Sequence, residues 1–353
     1  TCAILDNGSV SCWGGNGDRQ TSPDNSDKIA LPSGRTAVSV TAGAYHSCAL
    51  LDNGSVLCWG NNDNGALGNG SHSNGDLTTA PVFANLPTGR TAVVIDGGWQ
   101  FTCVILDDGS AICIGYNQYG QLGDPNGGDQ GDQTYEWGNV GLPSGRTAVD
   151  ISAGKDHACA VLDNGSVMCW GRNNYGQVGD GTNTQRDTPA HVDLGEGRTA
   201  TDIDAGGSHT CAVLDNGSVS CWGDGWQGQL GQGPCCDPGE SNVPLHVELP
   251  GNAAAVSLGN QFSCAVMENG TAICWGQDNY GQVGDGDATT DGESACDDDH
   301  YGSTGCDDIT GWTSFISNVM LSGGQTYYII VDGWSDTDAG DYLLTVTPYN
   351  PLQ

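Results

Sequence analysis

The sequence predicts an all-β chain: a β-propeller of six or seven four-stranded blades with intra-hairpin disulfides, followed by a small C-terminal β-sandwich-like segment. Three observations carry this reading. Cysteines recur in pairs at one fixed spacing, each of the six repeat pairs brackets a hairpin turn signal, and both faces of the hairpin so formed are apolar.

The pairs are Cys2 with Cys12, Cys48 with Cys58, Cys103 with Cys113, Cys159 with Cys169, Cys211 with Cys221, and Cys264 with Cys274, each with nine residues between, and their starts lie 46, 55, 56, 52 and 53 residues apart. Self-similarity at such a period marks a repeat architecture. Between Cys48 and Cys58 two short apolar runs flank Asp52-Asn53-Gly54. A three-residue loop closed by a left-handed glycine pairs Leu51 with Ser55 and sets Cys48 opposite Cys58, within disulfide reach. A two-residue Asn-Gly loop sets Cys58 against Ala49 instead, so cross-strand bridging selects the longer turn. Alternation then puts Cys48, Leu50, Val56 and Cys58 on one face and Ala49, Leu51, Ser55 and Leu57 on the other. A hairpin wetted on neither side must be sandwiched, as blades around an axis are. Stretches such as Gly34 to Val40 upstream and Ala80 to Ala84 downstream supply the other two strands of a blade.

Ala153-Gly154-Lys155-Asp156-His157-Ala158-Cys159 and then Cys169-Trp170-Gly171-Arg172-Asn173-Asn174-Tyr175-Gly176-Gln177-Val178-Gly179-Asp180-Gly181 resemble the regulator-of-chromosome-condensation repeat, and the likeness recurs from residue 1 to about 286. The resemblance implies a propeller, usually of seven blades. The chain shows six hairpins, and the first lacks an upstream strand.

His46, His157 and His209 occupy one repeat position, which suggests a metal ring. Phe101 and Phe262 hold the same position in two other repeats, so a core or hydrogen-bonding role is expected and no metal is assigned there. Trp13, Trp59, Trp170, Trp222 and Trp275 each follow the second cysteine, with Ile114 in the third repeat, and read as packing between blades. Asn7, Asn53, Asn164, Asn216 and Asn269 begin Asn-Gly-Ser/Thr sequons, but the third repeat keeps the turn as Asp107-Asp108-Gly109-Ser110 without one. Turn chemistry is therefore the expected constraint. Asn69, in a loop, is the candidate glycosylation site. The loops at 61 to 80, 124 to 139 and 224 to 243 vary most, and they offer Tyr135, Trp137 and Trp226 as candidate binding aromatics.

Asp and Glu number 43 against 9 Lys and Arg, a net charge of -34. So anionic a surface repels phosphate backbones and lipid headgroups, and no nucleic acid partner is expected. No run of about 18 apolar residues exists, so no membrane insertion is expected either. Sixteen cysteines, mostly paired by spacing, imply a secreted, extracellular or cell-surface location. Thr1 falls inside a repeat with no initiating Met or signal peptide, so a leader, alone or with further N-terminal sequence, is expected to have been removed or to be missing. His-Glu-x-x-His, Gly-x-Ser-x-Gly and phosphate-cradling glycine loops are absent from the sequence. The expected function is that of a non-catalytic extracellular binding and scaffold module, a subunit or decoration of a cell-surface or filamentous assembly, with a protein or glycan partner or self-assembly into a homo-oligomer. The alternative is a secreted protein-binding propeller that acts as an enzyme inhibitor or receptor-like cap.

Two domains are expected, 1 to 286 and 287 to 353. Beyond Asp287 an acidic stretch, Asp291 to Asp308, leads to strands at Phe315 to Leu321, Thr326 to Val331 and Tyr342 to Thr347. Gly323 to Trp334 with Gly340 to Val346 resembles the second half of the bacterial pre-peptidase C-terminal domain, which implies a small β-sandwich. Cys296 and Cys306 have the repeat spacing and are expected to pair. Adjacent Cys235 and Cys236 leave open a vicinal bridge or bonds to other chains. Asp297, Asp298, Asp299, Asp307 and Asp308 offer the hard oxygens that Ca²⁺ accepts, against the alternative of a solvated acidic loop, and no cofactor is otherwise expected. Three strands give few inward-facing side chains, so residues 287 to 353 are expected not to fold alone. Expression of that segment with Cys296 and Cys306 oxidised tests this: cooperative melting of a monomer refutes it, and ordering only on mixing with residues 1 to 286 supports it.

Overall fold

The computed structural model describes residues 1–14, 17–21, 28–71, 80–125, 134–195, 197–232, 239–278, 283, 326–327 and 348–349. The expected bridge between Cys296 and Cys306, the pair Cys235 and Cys236, the candidate Ca²⁺ ligands and nearly all of the C-terminal segment lie outside these residues. Of that segment, only Thr326–Tyr327, paired antiparallel with Pro348–Tyr349, is described.

The chain opens with a hairpin of β1 (Cys2–Ile4) and β2 (Val10–Cys12). Four four-stranded antiparallel sheets follow in chain order. They are β3 (Ala37–Ala42), β4 (His46–Leu51), β5 (Val56–Gly60) and β6 (Val82–Phe83); β7 (Ala92–Gly97), β8 (Phe101–Leu106), β9 (Ala111–Gly115) and β10 (Thr134–Asn139); β11 (Ala148–Ala153), β12 (His157–Leu162), β13 (Val167–Gly171) and β14 (Arg186–Val192); and β15 (Ala200–Ala205), β16 (His209–Leu214), β17 (Val219–Asp224) and β18 (Glu240–Val247). A three-stranded sheet of β19 (Ala253–Leu258), β20 (Phe262–Met267) and β21 (Ala272–Gly276) ends the series. The expectation of six or seven blades is thus corrected to five among the described residues. A blade needs a first strand, and among the described residues β1–β2 pairs with none and stands as a two-stranded hairpin.

Sequential strands are neighbours in every blade, and the first strands β3, β7, β11, β15 and β19 stand side by side around one cavity. In the first blade the hairpin closes as its sequence requires: Leu51 N–H donates to Ser55 O at 2.9 Å, Gly54 N–H donates to Leu51 O at 2.8 Å, and Cys48 faces Cys58.

All six repeat pairs are disulfides, each within its own hairpin. Cys2 is bonded to Cys12, Cys48 to Cys58 and Cys103 to Cys113, with Cα atoms 4.0–4.1 Å apart. Cys159 is bonded to Cys169, Cys211 to Cys221 and Cys264 to Cys274, with the same 4.0–4.1 Å separation. In every case the two cysteines are direct partners in the ladder, Cys103 opposite Cys113, Cys211 opposite Cys221 and Cys264 opposite Cys274 included. All twelve are buried, so the bridges lie in the packed layer between neighbouring hairpins.

Every residue of β4, β5, β12 and β13 is buried. The two faces pack on different neighbours. Cys48, Leu50, Val56 and Cys58 join Val104, Leu106 and Ile112 of the following blade, whereas Ala49 and Trp59 join Cys2, Val10 and Cys12 of the preceding hairpin. Each first strand carries a bulge after its opening alanine, which turns Val38, Val93 and Val149 out to solvent.

Blades are also joined by polar contacts. The turn glycine of one blade accepts from the alanine that opens the next first strand, as Ala92 N–H to Gly54 O and Ala200 N–H to Gly165 O, each at 2.8 Å. Gly165 adopts φ 75°, and a Cβ there would sit 2.5 Å from Thr199 Cβ, so conformation and close approach both demand glycine. Trp59, Trp170, Trp222 and Trp275 donate from Nε1 to the carbonyls of Gln20, Gln121, Gln177 and Gln229 of the preceding repeat, at 2.8–3.0 Å. Where Ile114 replaces the tryptophan, Ala66 replaces the glutamine at the facing position. Trp13 is 46% exposed.

The three repeat histidines are buried links between blades. Nε2 of His46, His157 and His209 lies 2.8–2.9 Å from the hydroxyls of Thr102, Thr210 and Ser263 in the next blade. Each hydroxyl donates its own proton to a carbonyl, of Ala66, Gln177 or Gln229. It therefore accepts from the ring, which fixes the Nε2–H tautomer. Burial pushes the histidine pKa down to about 4 for His46 and His157 and to about 3 for His209, so all three are neutral near pH 7. Phe101 replaces histidine in the third repeat, and the next blade there offers Ala158 in place of a hydroxyl. Donor and acceptor are present or absent together.

Replacing Cys159 and Cys169 together by alanine is expected to cost about 2 to 4 kcal/mol, read from the urea midpoint of the oxidised protein; an unchanged midpoint would show that the neighbours alone hold the hairpin. Thr210→Ala, which leaves the His157 N–H buried without an acceptor, is expected to cost about 1 to 3 kcal/mol. Adding His157→Phe, the pairing of Phe101 with Ala158, should recover much of that loss, and strictly additive losses in this cycle would contradict the account.

Candidate binding face and axial cavity

Strand direction sorts the connections into two faces. Within a blade the loops from first to second and from third to fourth strand emerge together, and the Asp-Asn-Gly turns emerge at the opposite end. On the turn face, Oδ1 of Asn7, Asn164 and Asn216 accepts both the N–H and the hydroxyl of the serine two residues on, and Asn269 does the same with Thr271. Asn53 accepts the Ser55 N–H, and Asp108 takes both bonds in the third repeat. A carboxylate replaces the amide without changing the turn. Arg35, Arg90, Arg146 and Arg198 pair there with Asp52, Asp107, Asp163 and Asp215, at 3.1–3.6 Å. In the last blade Asn252 donates to Glu268 instead.

The loop face is stitched locally. Asn61, Tyr116, Arg172, Asp224 and Gln277 donate their N–H groups to the carbonyls of Tyr45, Gln100, Asp156, Ser208 and Gln261. Buried Asn62, Asn117 and Asn173 cap the Gly-x-Leu/Val-Gly loops by accepting from Leu67, Leu122 and Val178. On this rigid base a row of rings and cations crosses three blades. Tyr45 stacks on Trp99 with centroids 6.1 Å apart, Lys155 Nζ sits 3.9 Å over the Trp99 ring, and Arg172 lies 4.9 Å over Tyr119 while bonding Asp156 at 3.1 Å. Burial pulls the Lys155 pKa down, with the Asp156 charge opposing.

The loop aromatics singled out by sequence part company here. Trp226 is 52% exposed, and its ring lies beside Gly239, where a Cβ would approach it to 2.9 Å. Trp137 turns back over Gly68 and packs, half-buried, against the core of the first and second blades. The Tyr135 side chain lies outside the described residues. Asn69 is half-buried, and its Oδ1 accepts from Asn62 and Ser71, which makes it part of its loop's scaffold.

Between the first strands lies a cavity of about 220 Å³, floored by Thr41, Asp96 and Asp204 and walled by Gly98, Trp99 and Lys155. Its polar floor escaped the sequence reading. Equivalent positions of successive first strands carry Thr41, Asp96, Ser152, Asp204 and Ser257. Asp96 accepts from Thr41 Oγ1 at 2.8 Å, Gly97 N at 2.9 Å and Ala153 N at 2.7 Å, and its Oδ2 lies 3.1 Å from Ser152 Oγ. Asp204 accepts from Ala205 N at 2.9 Å and Leu258 N at 2.7 Å, and its Oδ1 lies 2.7 Å from the same Ser152 Oγ. Nearer the other face, Asp202 accepts from Val256 N at 2.8 Å, and Asp150 from Ile151 N at 2.9 Å. Burial raises all four carboxyls, Asp204 to about 7 and Asp150 to about 6, with mutual repulsion adding to both. Each acts as an acceptor that ties its own blade to the next or to itself. The one legible signal was a polar residue at matching positions of strands that must be covered on both sides, visible only with the repeats aligned on their first strands.

Among the described residues no three His, Cys, Asp or Glu side chains gather as a metal site, and no helix is long and apolar enough to cross a membrane.

Known proteins share this architecture. The yeast protein Prp20p from Saccharomyces cerevisiae superposes with a TM-score of 0.65 at 23% identity, over 75% of this chain and 65% of that one. Human WBSCR16 does so with a TM-score of 0.64 at 21% identity, over 71% of this chain and 64% of that one. Among curated relatives, the ultraviolet-B receptor UVR8 of Arabidopsis thaliana is 28% identical over 74% of this chain, and the secretion-regulating guanine nucleotide exchange factor of Mus musculus is 28% identical over 77%. The matched stretch spans 58% and 60% of those two relatives, so the likeness covers only part of each. The family model described as the RCC1-like domain matches residues 1–298, and the chain belongs to that family.

Proposed function

We propose that this protein is a non-catalytic binding module that works outside the cell and engages a protein partner through its loop face. The observation that carries the reading is the contrast between the two faces. The turn face repeats one self-satisfied hydrogen-bond pattern, whereas the loop face carries varied connections, the Tyr45–Trp99–Lys155 row and the half-exposed Trp226 on a rigid frame. The structure of the related Prp20p is described together with its binding to Gsp1p and histones, which supports a protein partner for this fold. Six disulfides support an oxidising compartment. The acidity favours a basic or neutral partner surface over an acidic one. A role as subunit of a surface assembly, or as a cap on another protein, is the finer form of this proposal.

A photoactivatable phenylalanine analogue placed at Trp226, with Asp163 on the turn face as control, tests the reading in cells that make and export the protein. Discrete protein adducts from position 226 and none from 163 are expected. Adducts formed only between copies of the chain, together with filaments on electron imaging, favour the assembly form. Adducts from 163 alone, or none from either position, overturn the choice of face.

A further inference from the structure

The floor of the axial cavity is one proton short of satisfying its own contacts. Ser152 Oγ accepts from Ala205 N–H at 3.0 Å and has a single proton to give. Two carboxylate oxygens face it, Asp204 Oδ1 at 2.7 Å and Asp96 Oδ2 at 3.1 Å. Were both carboxylates ionised, one of these oxygen–oxygen contacts would hold no proton, and two anions would meet across one hydroxyl. The other donors cannot fill the gap. Thr41 Oγ1 and the Ala153 amide donate to Asp96 and the Leu258 amide to Asp204, while the Gly97 amide is shared between Thr41 and Asp96 and the Ala205 amide between Ser152 and Asp204.

We propose that the axis stores one proton, shared by Asp204 and Asp96 through Ser152, and that this proton is a pH-sensitive clasp on the blades. In the closed form the Asp204 carboxyl donates its O–H to Ser152 Oγ, and the Ser152 O–H donates to Asp96 Oδ2. Every short contact then holds a hydrogen, and one negative charge is left for the pair. Loss of the proton to solvent leaves two charges, and Ser152 can serve only one of them. Through Thr41, Ala153, Ala205 and Leu258 the clasp touches all five first strands, β3 to β19, so its state bears on how tightly the blades are drawn to the axis.

The groups that face it set the sign. Asp150 on β11 and Asp202 on β15 add negative charge from below, Lys155 after β11 adds a cation at the cavity wall, and β3 and β19 present Thr41 and Ser257, which do not titrate. A carboxyl whose folded pKa lies above its unfolded value holds its stabilisation below the unfolded value and loses it as pH rises through the folded one. The folded value of Asp204 stands at about 7 against 3.8 unfolded, so the stabilisation fades steadily from about pH 4 and is gone just above neutrality.

The test uses the intact oxidised chain. Its urea midpoint is expected to fall between about pH 5.5 and about pH 8.5, and infrared difference spectra should show a protonated-carboxyl band at about pH 6 that is lost by about pH 8.5. Asp204→Asn, which cannot ionise and whose amide can donate to Ser152 as the protonated carboxyl does, should reduce that band and flatten the midpoint profile, meeting the parent at low pH and exceeding it at high pH. Glu248→Gln, the same charge change on an exposed side chain, should leave band and profile as they are. Should Asp204→Asn fail to fold, the parent decides: no protonated-carboxyl band at about pH 6 overturns the proposal, as does an Asp204→Asn protein with an unaltered band and profile.

Discussion

Among the described residues no four-stranded blade keeps its central hairpin wet on either side, and the rest of the structure follows from that. With β4, β5, β12 and β13 buried at every position, a blade is stable only between two others. A single blade has no second apolar layer of its own, so the folding unit is the row. Disulfides fit this constraint. They join strands of the same hairpin and fix its register, so that Cys48, Leu50, Val56 and Cys58 all reach the same neighbour, as Cys211 and Cys221 reach Val256 and Leu258 of the blade that follows them. A slip of one residue would exchange the two faces and misplace both interfaces at once.

Apolar packing between blades is non-directional, and polar links supply the direction. The tryptophan indoles, the His–hydroxyl pairs, the turn glycine carbonyls and the axial carboxylates each join one blade to the next at a different place along the interface. Because such groups are costly when unpaired and buried, they must change in concert. Phe101 with Ala158 and Ile114 with Ala66 are two places within one chain where both partners have changed together. Function is then free to reside in the connections, since the frame holds their ends: Trp226 projects from a loop whose two stems are paired as β17 and β18.

Charge is distributed just as sparingly. Nine Lys and Arg serve a chain with 43 acids, and four of the arginines are committed to the turn face. Lys155 and Arg172 sit on the loop face, against Trp99 and Tyr119. Among the described residues no arginine or lysine is in hydrogen-bond contact with Asp96 or Asp204. Amides, hydroxyls and, on our reading, a proton balance these carboxyls.

Local chemistry alone determined the hairpins. Asp-Asn-Gly sets a three-residue turn, the turn sets the register, and the register brings each cysteine opposite its partner, all within one short stretch, so no distant contact can change the answer. A core or hydrogen-bonding role for His46, His157 and His209 was legible for a related reason, the alternation with phenylalanine at the same position. Tertiary structure decided the rest. Whether β1–β2 counts as a blade depends on a strand that must come to it, and whether Trp137 or Trp226 faces solvent depends on which one finds a glycine and a core to cover. Asp96 and Asp204 lie two blades apart and read in sequence as two among 43 acids. Only closure of the first strands around one axis places them on a single serine, because that contact is made between blades and no local pattern encodes it.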